Sequence, residues 1–66
     1  MNIGDTILIL PSYALNDMRL GELAGLTASV VEVVRHADRI HGCWVKLPGR
    51  YLGEEKWFIP YNSIGQ

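Results

Sequence analysis

The sequence predicts an all-β domain: a small five-stranded closed barrel with one long early loop and a late 3₁₀ turn. Three observations predict it. The 66 residues suffice for one thin core and no second domain, because a chain this short buries only about 60% of its unfolded surface. The segment Thr27–His36 is rich in β-branched residues and lies between Gly25 and the turn-like ADRIHG, the pattern of a strand. Other short apolar or alternating segments flank it, punctuated by glycine and proline.

Each element follows in order. Ile3–Leu10 reads as the first strand, and its run Ile7, Leu8, Ile9, Leu10 stops at Pro11, which predicts cover on both faces. Residues Pro11–Gly25 are punctuated by Ser12, Asn16, Asp17, Gly21 and Gly25 and read as a long loop with one short turn of helix. A helix over Tyr13–Leu23 competes with this reading; Gly21 and the lack of a clean apolar stripe weaken it. In Thr27–His36 one face reads Thr27, Ser29, Val31, Val33 and the other Ala28, Val30, Glu32, Val34. Both faces turn apolar toward the C-terminal end, as in a strongly bent strand shared between two sheets. Ala37–Gly42 reads as a connecting loop. Cys43–Leu47 alternates, with Cys43, Val45 and Leu47 on one face and Trp44 and Lys46 on the other, until Pro48 and Gly49 end it. Gly49–Glu55 reads as a turn, Lys56–Pro60 as a fourth strand, Tyr61–Ser63 as one turn of 3₁₀ helix, and Ile64 as the start of a last short strand. Closure is expected because an open sheet would leave edges that this chain has little charge to blunt. An open meander with a short helix in the early loop is the alternative.

Bulk composition narrows the function. A hydrophobic content of 48% is that of a globular fold and too high for a disordered chain. The net charge of −1 argues against a strong nucleic-acid binder, which lives on phosphate contacts. The charge is uneven, however: Arg35, Arg39, Lys46 and Arg50 face only Asp38 within residues 35–50. The single cysteine, Cys43, precludes an intrachain disulfide, which small secreted domains usually need. The start MNIGD lacks the pattern of a secretory signal, Asn2 precludes myristoylation, and no apolar run reaches membrane-spanning length. These features lead us to expect a cytoplasmic protein with no membrane partner.

Two resemblances add to this reading. The segment KWFIPYNSI resembles the closing segment of SH3 domains, where an aromatic-rich strand runs into a Pro-x-Asn turn. That resemblance implies that Trp57, Pro60, Tyr61 and Asn62 match groove positions. SH3 domains also use an acidic early loop and a tryptophan just after it to stack prolines and pair a basic residue. Here the loop holds Asp17 and Glu22 but also Arg19, and the first tryptophan is Trp44. Over most of its length the chain, through IGDTILIL, GLTASVVEVV, GCWVKL and EKWFIPYNSI, is similar to a group of small bacterial SH3-like or KOW-like barrel proteins. KOW modules contact RNA and proteins in ribosomal and transcription-factor settings. Where the KOW pattern places its second glycine, this chain has Ala28, a residue that still permits close packing at negative φ.

The candidate sites follow. Arg35, Arg39 and Lys46 could contact phosphates and Trp44 could stack on a base; the competing reading is a solvated hairpin tip. Trp57, Pro60, Tyr61 and Asn62 form a candidate protein-binding rim; of the aromatic set Trp57, Phe58, Tyr61 and Tyr13, about two are expected in the core and the others exposed as a contact patch. Of the adjacent pair Trp57 and Phe58, one is expected to face the core; Phe58 is expected inside with Ile64, and Trp57 in a groove near Pro60 and Tyr61, although Ile59 shares the face of Trp57 and could pull that face inward. His36, His41 and Cys43 match no strong metal-ligand spacing, so neither a metal nor a cofactor is expected. Glu54 and Glu55 diverge on a strand and read as turn surface, and Asp5 as a structural acceptor for backbone amides. The expected function is a non-enzymatic interaction module with a protein partner or an assembly role. A nucleic-acid-binding accessory using the basic hairpin and a self-associating structural domain, a homo-oligomer, are the alternatives.

Overall fold

The computed structural model describes residues 1–65. Its secondary structure is mainly β: β1 (Thr6–Ile9), β2 (Thr27–His36), β3 (Arg39–Tyr51), β4 (Glu54–Pro60) and β5 (Ile64–Gly65). A short helix, α1 (Tyr13–Asp17), and a 3₁₀ turn (Gly21–Leu23) fill the long early loop, and a closing 3₁₀ turn (Tyr61–Ser63) separates β4 from β5. All pairings are antiparallel, in the order β4-β3-β2-β1-β5.

This order dictates the shape. Strands β4 and β5 occupy opposite edges of the sheet, yet only Tyr61, Asn62 and Ser63 lie between them. A flat five-stranded sheet would hold its edges about 19 Å apart, whereas three 3₁₀ residues advance only roughly 6 Å. The sheet must therefore curl until its two edges approach. Irregular pairing supplies the bend. Val31 of β2 is skipped between the pairs Val30↔Val45 and Glu32↔Trp44, and His41 of β3 is skipped between Val34↔Gly42 and Arg35↔Ile40. Such bulges bend a strand and raise its local twist. The apolar character on both faces of β2 fits a strand that bends, but β2 lies within one curled sheet and is not shared between two.

The concave side holds the core. Ile7 and Ile9 from β1, Ala28 and Val30 from β2, Cys43, Val45 and Leu47 from β3, and Ile59 from β4 point into it. Leu15 of α1, with Leu20 and Leu23 from the loop, adds three buried leucines. The early segment is thus a plug for the core as well as a connection, and its two short helical turns place leucines there while its polar residues stay out.

Several expectations are corrected. The first strand is shorter than Ile3–Leu10, and its outer face is open: Leu8 is 42% exposed and Leu10 36%. The Ala37–Gly42 loop is a two-residue turn, because Ala37 and Asp38 both adopt positive φ, 49° and 66°, the geometry that matches strand twist in a tight hairpin. Residues Arg39–Gly42 consequently belong to β3. Pro48 and Gly49 do not end that strand. They interrupt its pairing, with Leu47, Pro48, Gly49 and Arg50 standing opposite Glu55 alone. The turn placed at Gly49–Glu55 contracts to Leu52 and Gly53. Phe58 is not inside. Ile59 is fully buried, Trp57 shares its side and packs against the core, and Phe58 lies on the outer face opposite Trp44. The alternation of β4 is fixed by Ile59, and it carries Trp57 inward with it.

Candidate interaction surface

Ser12 begins the site. Its extended backbone (φ −157°, ψ 162°) places it as the N-cap of α1, and its hydroxyl accepts a hydrogen bond from the Leu15 amide at 3.1 Å. The same hydroxyl meets the Ser63 hydroxyl at 2.5 Å. Ser63 is fully buried, so this contact satisfies a group that would otherwise be stranded away from water. The Leu10 amide donates to the Ser63 carbonyl at 2.7 Å. Helix α1 and the closing 3₁₀ turn are therefore joined, and their exposed side chains are held as one surface.

Two recesses meet the closing turn, one at Asn62 and one at Tyr61. Pro11, Tyr13, Ala14, Asn16 and Asn62 line a shallow groove of about 440 Å³, with Tyr13 88% exposed. Tyr61, 56% exposed, lines a second recess of about 510 Å³ with Arg35, Asp38, Arg39 and Ile40. The fold thus brings Tyr61 of the aromatic rim together with Arg35 and Arg39 of the basic hairpin. It also adds Tyr13, exposed as the contact-patch reading of the aromatic set allows, and Pro11, which the sequence did not single out as a site residue. An N-cap serine directly after a strand-ending proline is a readable sign of α1. No local signal reveals that Ser12 reaches Ser63.

The other predicted site residues lie elsewhere. Pro60 is half-buried and leads extended backbone into the closing turn. Trp57 turns its ring to Tyr51, 5.7 Å between centroids, and its indole N–H donates to the Glu54 carbonyl at 3.1 Å. Its polar edge is thus already satisfied. Desolvation, with the nearby Glu22 carboxylate, pushes the Tyr51 phenol pKa up. Trp44 sits on the outer face of β3, edge-on to Phe58 at 5.6 Å, with the Lys56 ammonium 5.5 Å from its ring centre. The His41 ring lies tilted against Phe58, 6.0 Å between centroids. Gly42 makes this stack fit, since a Cβ there would collide with the Phe58 ring and the Ile59 carbonyl. Lys46 and Arg50 both approach Glu55, at 4.0 and 3.9 Å. Lys46 is seven residues along β3 from Arg39, about 23 Å at the usual strand rise, so the basic residues do not form one patch.

Cys43 is fully buried, and burial pushes its thiol pKa up. That disfavours the thiolate needed for metal ligation or nucleophilic attack. Among the described residues no three histidine, cysteine or acidic side chains are grouped to hold a metal ion, and no helix is long and apolar enough to cross a membrane. Asp5 accepts from the Asn2 amide at 2.8 Å, the structural role expected of it. No protein-family model matches the chain, and no curated protein or solved structure is significantly similar to it.

Proposed function

We propose that the chain is a non-enzymatic interaction module: an SH3-like barrel that takes a peptide segment of a partner protein across its closing 3₁₀ turn. The sheet order β4-β3-β2-β1-β5, with a 3₁₀ turn joining the two edges, supports the barrel reading. One observation carries the functional reading. Two exposed tyrosines, Tyr13 on α1 and Tyr61 in the closing turn itself, stand near Asn62, on backbone held in place by the Ser12–Ser63 hydrogen bond. Large aromatic rings with polar tips, held on a rigid support, supply contact area at low entropic cost. The shallow recesses at Asn62 and Tyr61 suit an extended peptide better than an enclosed substrate.

The test is selection of short random peptides on the immobilised chain, followed by amide-shift titration with those selected. Shifts should centre on Tyr13, Tyr61 and Asn62, and the Tyr13→Ala/Tyr61→Ala chain should lose the peptides while keeping its thermal unfolding. Peptides that bind that variant as well as the parent would overturn the reading.

A nucleic-acid accessory role is the second reading, favoured by the partly exposed Trp44 with Lys56 over its ring. It predicts binding to a single-stranded oligonucleotide that weakens steeply with salt. A self-associating role draws on Leu8 and Leu10 beside β5, and sedimentation at rising concentration tests it.

A further inference from the structure

The recess beside Tyr61 is lined by two arginines, Arg35 and Arg39, with Asp38 and Ile40. Among the described residues the ion pairs within 4.0 Å are Lys46–Glu55 and Arg50–Glu55. Arg35 and Arg39 therefore have no carboxylate at that distance, even though Asp38 lines the same recess. Both arginines are exposed, and both sit on a hairpin fixed by a two-residue turn and by the pairs Arg35↔Ile40 and His36↔Arg39. Unpaired guanidiniums on a fixed support, next to an exposed aromatic ring, form a receptor for a planar anion, because the guanidinium fork matches a carboxylate in two parallel hydrogen bonds.

We infer that the peptide taken by this surface carries an acidic side chain, received by Arg35 and Arg39 beside Tyr61. This rests on the peptide-binding reading above and specifies its ligand. Tyr61 and Asn62 are consecutive and line the two recesses, so one extended peptide crossing the turn reaches both. Its apolar part lies against Pro11 and Tyr13, and its acidic residue lies against the hairpin.

Carboxylate fits better than a nucleic-acid backbone. A phosphate-tracking protein needs a continuous basic path. Here the basic residues are dispersed: Arg35 and Arg39 stand at the hairpin tip, Lys46 and Arg50 are drawn to Glu55 further along β3, Lys56 lies over the Trp44 ring, Arg19 is in the early loop, and the whole chain carries −1. The charge preference is also opposite to that of the SH3 groove, which pairs a basic ligand residue.

The test uses the full chain and peptides selected from a short random library, each also made with its acidic residues changed to glutamine and to lysine. Enrichment of aspartate and glutamate among the selected peptides is expected. Glutamine versions should bind about tenfold more weakly, and Arg35→Glu/Arg39→Glu should lose the acidic peptides and gain the lysine versions. The variant's thermal unfolding controls for its fold. Selected peptides that lack acidic enrichment, or that bind the charge-reversed chain equally well, overturn the inference and leave the peptide-binding reading standing. A library that yields no binder overturns both. A single-stranded oligonucleotide that shifts Arg35, Arg39 and Tyr61 at moderate salt, where acidic peptides do not, overturns the inference in favour of nucleic acid.

Discussion

Ser12 and Ser63, from opposite ends of the chain, share a 2.5 Å hydroxyl–hydroxyl contact while Ser12 also caps α1. One side chain thereby stabilises a helix end and positions the closing turn. Ser12→Ala removes both functions and leaves the buried Ser63 hydroxyl unpaired. It should cost about 1–2 kcal/mol in urea unfolding. Ser63→Ala keeps the cap and should cost less. If the two single changes have equal effects, the shared role assigned to Ser12 is wrong.

Gly42 lies under the Phe58 ring. Gly42→Ala forces that ring or the β4 backbone to move, and should destabilise by about 1–3 kcal/mol, the range of overpacking. Pairing it with Phe58→Leu should recover part of the loss. A melt unaffected by Gly42→Ala would mean that the outer aromatic stack is loosely held.

Leu52 is 77% exposed and has φ 52° at the first position of a two-residue turn, followed by Gly53 at 84°. A branched aliphatic residue is costly in this region, whereas asparagine tolerates it. Leu52→Asn should therefore stabilise the chain, by roughly 0.5–1 kcal/mol, without affecting peptide capture, since it is at the far end of β3 from the hairpin. A lowered melting temperature would contradict this.

Burial raises the Cys43 thiol pKa. The folded chain thus keeps its proton in a pH range where the unfolded chain has begun to lose it. The resulting contribution to stability is complete below the unfolded thiol pKa and is lost as pH rises through the folded value. Cys43→Ala should flatten the alkaline fall in stability, and the native thiol should react with a disulfide reagent only as fast as the chain opens. Rapid labelling of the native chain would show that the thiol is accessible.

How much of this was legible in the sequence depended on the range of each interaction. The strand Thr27–His36 and the turn Tyr61–Ser63 match the structure to the residue, because β-branched density and a proline-led turn are local signals. The hairpin at Ala37–Asp38 reads from sequence as a longer loop because neither residue is the asparagine or glycine that usually marks such a turn. Phe58 was misplaced because adjacent aromatic residues offer two equal inward choices, and the decision came from Ile59 one position on. At the candidate site, Tyr61 and Asn62 were legible from the closing motif, as were Arg35 and Arg39 from their charge. That Tyr61 shares a recess with Arg35 and Arg39 was not, because it depends on the long-range pairing of β3 with β4 at Gly42↔Pro60, which brings the hairpin alongside the closing turn.

The two-residue ladder of β1 with β5 pairs Leu8 with Gly65 and Ile9 with Ile64. It closes the longest loop in the chain, so its entropic cost is among the largest and its enthalpic return, from two residues, among the smallest. Such pairings form late in folding and open first in native-state fluctuations. The closing turn sits immediately before this ladder, so the proposed recognition surface exists only while the ladder is shut. A bound peptide would then act as a latch, slowing hydrogen exchange at the Leu10 amide, which its own contacts need never touch.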